Sequence, residues 1–284
     1  MSTPVRDPHT GYLTTGHDWN GITELNAPVP RPVWWFMSIT HVAGLIMLIL
    51  LPAIPLWFTY SKGLLGADQF ADADAAVARA AAARSGWSSQ ITALPFADIQ
   101  ADPALMTIVR STGATLFGTN CAACHGPQGM GGPGFPILAD ADWLWGSDPE
   151  VIAETLRVGI NASHPDTRVS QMLAFGRDEY LTKDQVEALV PHVMGLSVPG
   201  TVPDPAATLL FAENCASCHG ENAKGLIEVG APNLTDDIWQ YGGDAASVRD
   251  TLWNGRQGQM PAWEGRLSEV DRKILTLYVL DLGP

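Results

Sequence analysis

Leu116-Phe117-Gly118-Thr119-Asn120-Cys121-Ala122-Ala123-Cys124-His125-Gly126 lies over Leu210-Phe211-Ala212-Glu213-Asn214-Cys215-Ala216-Ser217-Cys218-His219-Gly220 at a constant offset of 94 residues. The likeness continues downstream, where Pro136-Ile137-Leu138 answers Pro232-Asn233-Leu234 and Thr155-Leu156-Arg157-Val158-Gly159 answers Thr251-Leu252-Trp253-Asn254-Gly255. Two copies of one small domain are implied. Each carries C-x-x-C-H, the attachment signature of c-type haem: two thiols one helical turn apart add to the two vinyl groups, and the adjoining histidine reaches the iron. Cys121, Cys124, Cys215 and Cys218 are thus expected to hold two covalent haems c, with His125 and His219 on the irons. A zinc site made from both C-x-x-C pairs would need the two halves to converge, and neither it nor a redox dithiol gives the twin histidines a purpose.

A six-coordinate haem iron needs a second axial ligand. Beyond His219 there is no further histidine and one methionine, Met260, in Gly258-Gln259-Met260-Pro261-Ala262-Trp263. Met260 is therefore the expected ligand if the second copy supplies its own. In the first copy Ser170-Gln171-Met172-Leu173-Ala174-Phe175-Gly176 parallels that loop and favours Met172, with Leu173 in place of the proline. Met130, Met194, His164 and His192 are its rivals, His164 foremost.

A ligating histidine usually donates its other ring N–H to a carbonyl that fixes the tautomer, and Pro136 and Pro232 offer candidate carbonyls beyond each motif. Amphipathic helices at 181–190 and 267–280 are expected to finish the two copies, opening on the hydroxyl caps Thr182 and Ser268; Ile274, Leu277 and Tyr278 share one apolar face. The proline-rich stretch 197–205 reads as the linker between copies.

The chain before the repeats is different in kind. From Pro32 to Ser61 no side chain is charged, and Val33 to Leu51 runs without proline. At about 1.5 Å per residue that run matches a hydrocarbon core of roughly 30 Å, so a transmembrane helix is expected, with Trp34, Trp35, Phe36 and Trp57, Phe58, Tyr60 as interfacial aromatics and Pro52 and Pro55 kinking or ending its far turn. A cleaved signal peptide fits less well, since the run is long and the preceding residues are not basic. His41 within it is either a functional intramembrane group or a side chain hydrogen-bonding a neighbouring helix. The alanine-rich 67–84 is expected to be a helical spacer or a partner-docking helix.

Across 284 residues, 30 acidic side chains oppose 16 Lys and Arg, for a formal charge of −14. Nucleic-acid binding through a basic surface is excluded as a leading reading, and a basic partner is favoured. Residues 1–62 balance, with Arg6, Arg31 and Lys62 against Asp7, Asp18 and Glu24, so the whole excess lies beyond them. Hydrophobic residues make up 46% of the chain, enough to build real cores.

With Gly16-His17-Asp18-Trp19-Asn20-Gly21-Ile22, Glu24-Leu25-Asn26 and Pro28-x-Pro30-Arg31 ahead of a single apolar run, the sequence resembles the dihaem-subunit family, CcoP, of the cbb(3)-type cytochrome c oxidases. The likeness covers essentially the whole chain. It implies a mainly α fold, one N-terminal transmembrane helix followed by two tandem class I cytochrome c domains. Residues 1–32 would be a cytoplasmic segment, 33–60 the transmembrane helix, 61–109 a periplasmic tether, and 110–198 and 204–284 the domains. Carried over, Cys121, Cys124 and His125 match the first haem motif, Cys215, Cys218 and His219 the second, and Met172 and Met260 the distal loops. The implied role is electron transfer from a donor c-type cytochrome or the cytochrome bc(1) complex to the monohaem subunit of the oxidase. The partners would be the other oxidase subunits and membrane lipid, and the place the bacterial inner membrane with the haem domains in the periplasm. Outside this family, the alternatives are a membrane-anchored dihaem carrier for another respiratory enzyme, and a dihaem peroxidase or haem sensor with an open iron position.

Overall fold

A computed structural model of the chain describes residues 3–283. It divides into two compact units after Ala83.

In the first unit, β1 (Thr14–Trp19) and β2 (Ile22–Leu25) pair antiparallel. Asn20 and Gly21 turn the chain with φ of 55° and 89°, the left-handed pair a two-residue hairpin requires. The Glu24 carboxylate accepts from Trp19 Nε1 at 2.8 Å and Thr15 Oγ1 at 3.1 Å, so the family-like Gly16–Leu25 stretch forms a compact hairpin. Helix α1 (Arg31–Leu50) follows; none of its side chains is buried in the protein, and it is long and apolar enough to cross a membrane. His41 Nδ1 bonds the Met37 carbonyl of its own helix at 2.7 Å.

Helix α1 stops at Leu50, short of the expected 60. Pro52 and Pro55 cannot donate to the helical ladder. The chain instead folds back: Leu64 and Leu65 N–H cap the Ile49 and Leu50 carbonyls at 3.0 Å each. Gly63 permits this at φ 69°, where a Cβ would stand 2.3 Å from the Leu50 oxygen.

Helix α2 (Gln69–Ala93) extends past the expected spacer, and 61–109 is not one tether. Trp87, Ile91, Leu94, Phe96 and Ile99 belong to an apolar core, with α3 spanning Phe96–Ala101. Here the alanine pattern gives way to large apolar residues at helical spacing.

Both repeats then follow one order. The first has α4 (Pro103–Asn120), α5 (Ala122–His125), α6 (Pro149–Val158) and α7 (Lys183–Gly195); the second has α8 (Pro205–Asn214), α9 (Ala216–His219), α10 (Ala245–Asn254) and α11 (Glu269–Leu280). Asp102, Asp148, Asp204 and Asp244 cap α4, α6, α8 and α10 by accepting from first-turn N–H groups. Thr182 caps α7 in a reciprocal box with Gln185, and Ser268 caps α11, as the sequence predicts.

The repeats are tandem in sequence but exchanged in space. Helix α11 packs on α4 and α6 of the first copy, while α7 packs on α8 and α10 of the second. The expectation that each helix finishes its own copy is therefore corrected: the closing helix of each copy packs on the helices of the other. One core joins Phe117, Cys121, Ile152 and Leu156 to Leu275 and Val279; the other joins Leu181, Val186, Leu189, Val190 and Val193 to Phe211, Cys215, Val248 and Leu252. The links after α6 and α10 cross as antiparallel pairs, Ile160 with Met260 and Met172 with Arg256.

The α4–α11 contact is close enough to test. A Cβ on Gly113 would stand 2.6 Å from Tyr278 Cβ, whereas one on Gly118 of the same helix meets nothing within 4 Å. Gly113→Ala should cost about 1–3 kcal/mol by overpacking, while Gly118→Ala should gain up to about 1 kcal/mol of helix propensity. Thermal unfolding of the full chain reads both; equal effects would contradict this packing.

Candidate haem sites

Each C-x-x-C-H motif sits where a long helix ends. Cys121 and Cys215 are the C-caps of α4 and α8, and one further turn, α5 or α9, brings the second cysteine and the histidine round. Gly126 and Gly220 follow with φ of 76° and 79°, turning the chain back beneath the histidine. The first cysteine of each pair is buried and the second exposed.

Burial, and secondarily the neighbouring thiols of Cys124 and Cys218, push the Cys121 and Cys215 thiols up to about 11. They are neutral S–H groups at neutral pH, and an S–H adds across a vinyl C=C with no leaving group. His125 Nδ1 lies 3.0 Å from the Pro136 oxygen and His219 Nδ1 3.0 Å from that of Pro232. A carbonyl only accepts, so Nδ1 carries the proton and Nε2 keeps its lone pair for a metal. Burial holds both imidazoles below their ordinary range, which preserves that neutral form. The residues fit covalently held haem c on two independent counts, the paired thiols and the oriented imidazoles. Among the described residues no group of three or more His, Cys, Asp and Glu converges.

The distal candidates separate by their surroundings. Met260 packs half-buried on the core that contains Cys121, and Met172 on the core that contains Cys215. Both ring nitrogens of His164 are engaged: Asp166 N–H donates to Nδ1 at 3.0 Å, and Nε2 bonds Glu264 at 2.7 Å. His192 packs its ring, tilted, on Phe211 at 5.5 Å as Tyr278 does on Phe117 at 5.6 Å, a helix-crossing position. Met194 holds the place in α7 that Leu280 holds in α11, again a packing position. Met130 is exposed.

Residues the sequence reading passed over also shape the sites. Trp143 packs on the first core and Trp239 on the second. Arg168 lies over Trp145 at 4.7 Å and donates to Thr155 Oγ1 at 2.9 Å; Arg256 does the same with Tyr241 at 4.6 Å and Thr251 at 2.9 Å. The repeated Thr155 and Thr251 were the available signal.

This fold with these sites defines a c-type cytochrome built from two cytochrome c domains. Residues 111–197 match the family described as Cytochrome c, 205–279 that of cbb3-type cytochrome C oxidase subunit III, and 11–58 the N-terminal domain of cytochrome oxidase-cbb3, FixP. The chain is 45% identical to the cbb3-type cytochrome c oxidase subunit FixP of Bradyrhizobium sp. (strain ORS 278), over 98% of this chain and 97% of that one. It is 41% identical to the CcoP subunit of Azospirillum brasilense, over 100% and 99%, and 42% identical to that of Rhodobacter capsulatus, over 95% of each. The chain belongs to the FixP/CcoP family of cbb3-type cytochrome c oxidase subunits, and it is a cytochrome c electron-transfer subunit.

Replacing Cys215 and Cys218 together by Ser should lower the covalent haem per chain by one. Covalent haem per polypeptide, measured on denatured protein, checks this; an undiminished ratio would contradict it.

Proposed function

We propose that this chain carries two covalently bound haems c, held by Cys121, Cys124 and His125 and by Cys215, Cys218 and His219, with Met172 and Met260 as distal ligands. It is the electron-input subunit of a cbb3-type oxidase. The carrying observation is the doubled arrangement of buried thiol, exposed thiol and imidazole fixed by a proline carbonyl. Bound haem supplies a one-electron iron couple. The chain's own part is to hold each group through redox cycling, to fix the imidazole tautomer and to exclude water from one side of each site. Methionine in the distal position favours ferrous iron over what a second histidine would give, and filling it closes the iron to substrate. Oxygen reduction belongs to another subunit, and this chain relays electrons to the monohaem subunit.

Helix α1 anchors the chain in the bacterial inner membrane. Covalent haem attachment takes place on the outer face of that membrane, which puts the repeats in the periplasm and residues 1–32 in the cytoplasm. The donor is a c-type cytochrome, soluble or membrane-bound, or the cytochrome bc(1) complex.

The acidic balance of the repeats supports a basic donor: residues 110–197 carry −5 and residues 204–284 carry −6. Asp142, desolvated and facing the charges of Asp236 and Asp140, holds its proton above the ordinary carboxylate range. Such a surface speeds encounter with a cation and loses that advantage in salt. Because the Debye length falls from about 30 Å at 0.01 M to about 8 Å at 0.15 M ionic strength, oxidation of a basic donor cytochrome by the intact complex should slow several-fold across that range. A rate indifferent to salt would remove electrostatic steering, and purification without a haem-copper core would remove the oxidase assignment.

A further inference from the structure

The exchange of helices carries the distal ligands with it. We infer that each iron takes its two axial ligands from different repeats: Met260 completes the site of His125, and Met172 the site of His219. The inference rests on the reading of both sites as haem c with methionine in the distal position, and adds which methionine serves which iron.

Three observations carry it. Met260 lies in the core of Cys121, Phe117 and Ile152, together with Trp263 and Leu267 from its own loop; Met172 lies in the core of Cys215, Phe211 and Val248, together with Phe175. The two loops are pinned on the foreign side by a two-fold-like ladder. Ile160 N–H donates to the Met260 oxygen at 2.9 Å and Met260 N–H returns to Ile160 at 2.9 Å; Met172 N–H donates to Arg256 at 2.8 Å and Arg256 N–H returns at 3.1 Å. Beyond the ladder Trp263 N–H donates to Leu156, and Arg177 N–H to Trp253, so each loop runs on along the other copy's helix. Finally, the approach is built into glycines. Gly159 ends α6 at φ 70° with the Met260 oxygen 2.5 Å from where its Cβ would be, and Gly255 ends α10 at φ 69° with the Met172 oxygen 2.4 Å away. Any side chain at either position would push a methionine loop off its site. A methionine held at its own repeat's histidine would have to leave this ladder and its core.

The test marks one haem without removing it. In the full-length protein Cys124→Ala leaves one thioether and one free vinyl on the His125 haem, which moves its visible band away from that of the other. In this background, Met260→Leu should make the marked haem, and about half of the total ferrous haem, bind carbon monoxide; Met172→Leu should do so for the unmarked haem. Carbon monoxide on the unmarked haem after Met260→Leu would overturn the exchange and leave methionine ligation standing. No carbon monoxide binding after either replacement would overturn methionine ligation and the exchange with it. If a leucine variant fails to accumulate, Met260→His keeps the iron six-coordinate and should lower the midpoint potential of the marked haem alone; a fall in the unmarked haem's potential instead would overturn the assignment.

Discussion

The antiparallel crossing of the two distal loops is the constraint on which the rest of the repeats depends. Four backbone hydrogen bonds join Ile160 to Met260 and Met172 to Arg256, and at about 0.5–1.5 kcal/mol net apiece they are not the main source of stability. Ile274, Leu275, Leu277 and Val279 of α11 are each 5% exposed or less, and burying such side chains is worth about 1.5–3 kcal/mol apiece. The helices therefore supply the driving force, and the crossing decides where that force is applied. An exchange at this point moves a methionine loop and a closing helix together, so the packing of each core and the methionine against it change hands as one unit.

Much of this was legible from residues alone. The paired thiols, the histidines, the proline carbonyls that orient them and the Thr182 and Ser268 caps all follow from local spacing, and local spacing is what a sequence displays. The partner of each closing helix was not legible, because α7 and α11 carry the same apolar periodicity. Such a stripe says which face is buried, never against which copy. The N-terminal hairpin has its signal in Asn20-Gly21, flanked by Trp19 and Ile22. The end of α1 is half-legible: Pro52 and Pro55 mark it, while the return of Leu64 and Leu65 onto the last carbonyls involves residues beyond the apolar run. The alanine run of α2 masks Trp87 and Ile91, which join a core made by α3 and α4 together with Ile274 and Leu277 of α11, far away in sequence.

The two crossings are unequal. Between Gly255 and Met260 the second copy has only residues 256–259, whereas the first has 160–171 between Gly159 and Met172. The longer link is tied to the shorter: Asn161 Nδ2 donates to Ser170 and to Gly258 carbonyls at 2.7 Å each, His164 meets Glu264 at 2.7 Å and Arg157 meets it at 3.1 Å. His164 and, after it, Arg157 hold the Glu264 carboxyl below its usual range. The residue that sequence reading placed first among rival ligands is thereby accounted for as a clamp on the loop of Met260.

Apolar periodicity is indifferent between copies, but the charges at the rims of the helices are not. Arg249 of α10 holds Glu187 of α7 at 2.7 Å, and Arg110 of α4 holds Asp281, just past α11, at 2.7 Å. Laying α7 on α11 from their Lys183 and Glu269 starts puts Lys273 in the place of Glu187, and the repeat offset puts Asp204 in the place of Arg110. Were α11 to close its own copy, Lys273 would face Arg249 and Asp281 would face Asp204, like charge against like at both rims. In the exchanged arrangement Lys273 instead donates to the Thr92 and Leu94 carbonyls at the end of α2, and Arg84 meets Asp271. Exposed pairs are worth about 0–1 kcal/mol each, too little to fold a domain. Between two packings that bury the same apolar faces, however, the large terms cancel, and small attractions on one side set against repulsions on the other select the partner. The apolar stripe makes each helix dock, and the charges at its rim favour the core it closes here.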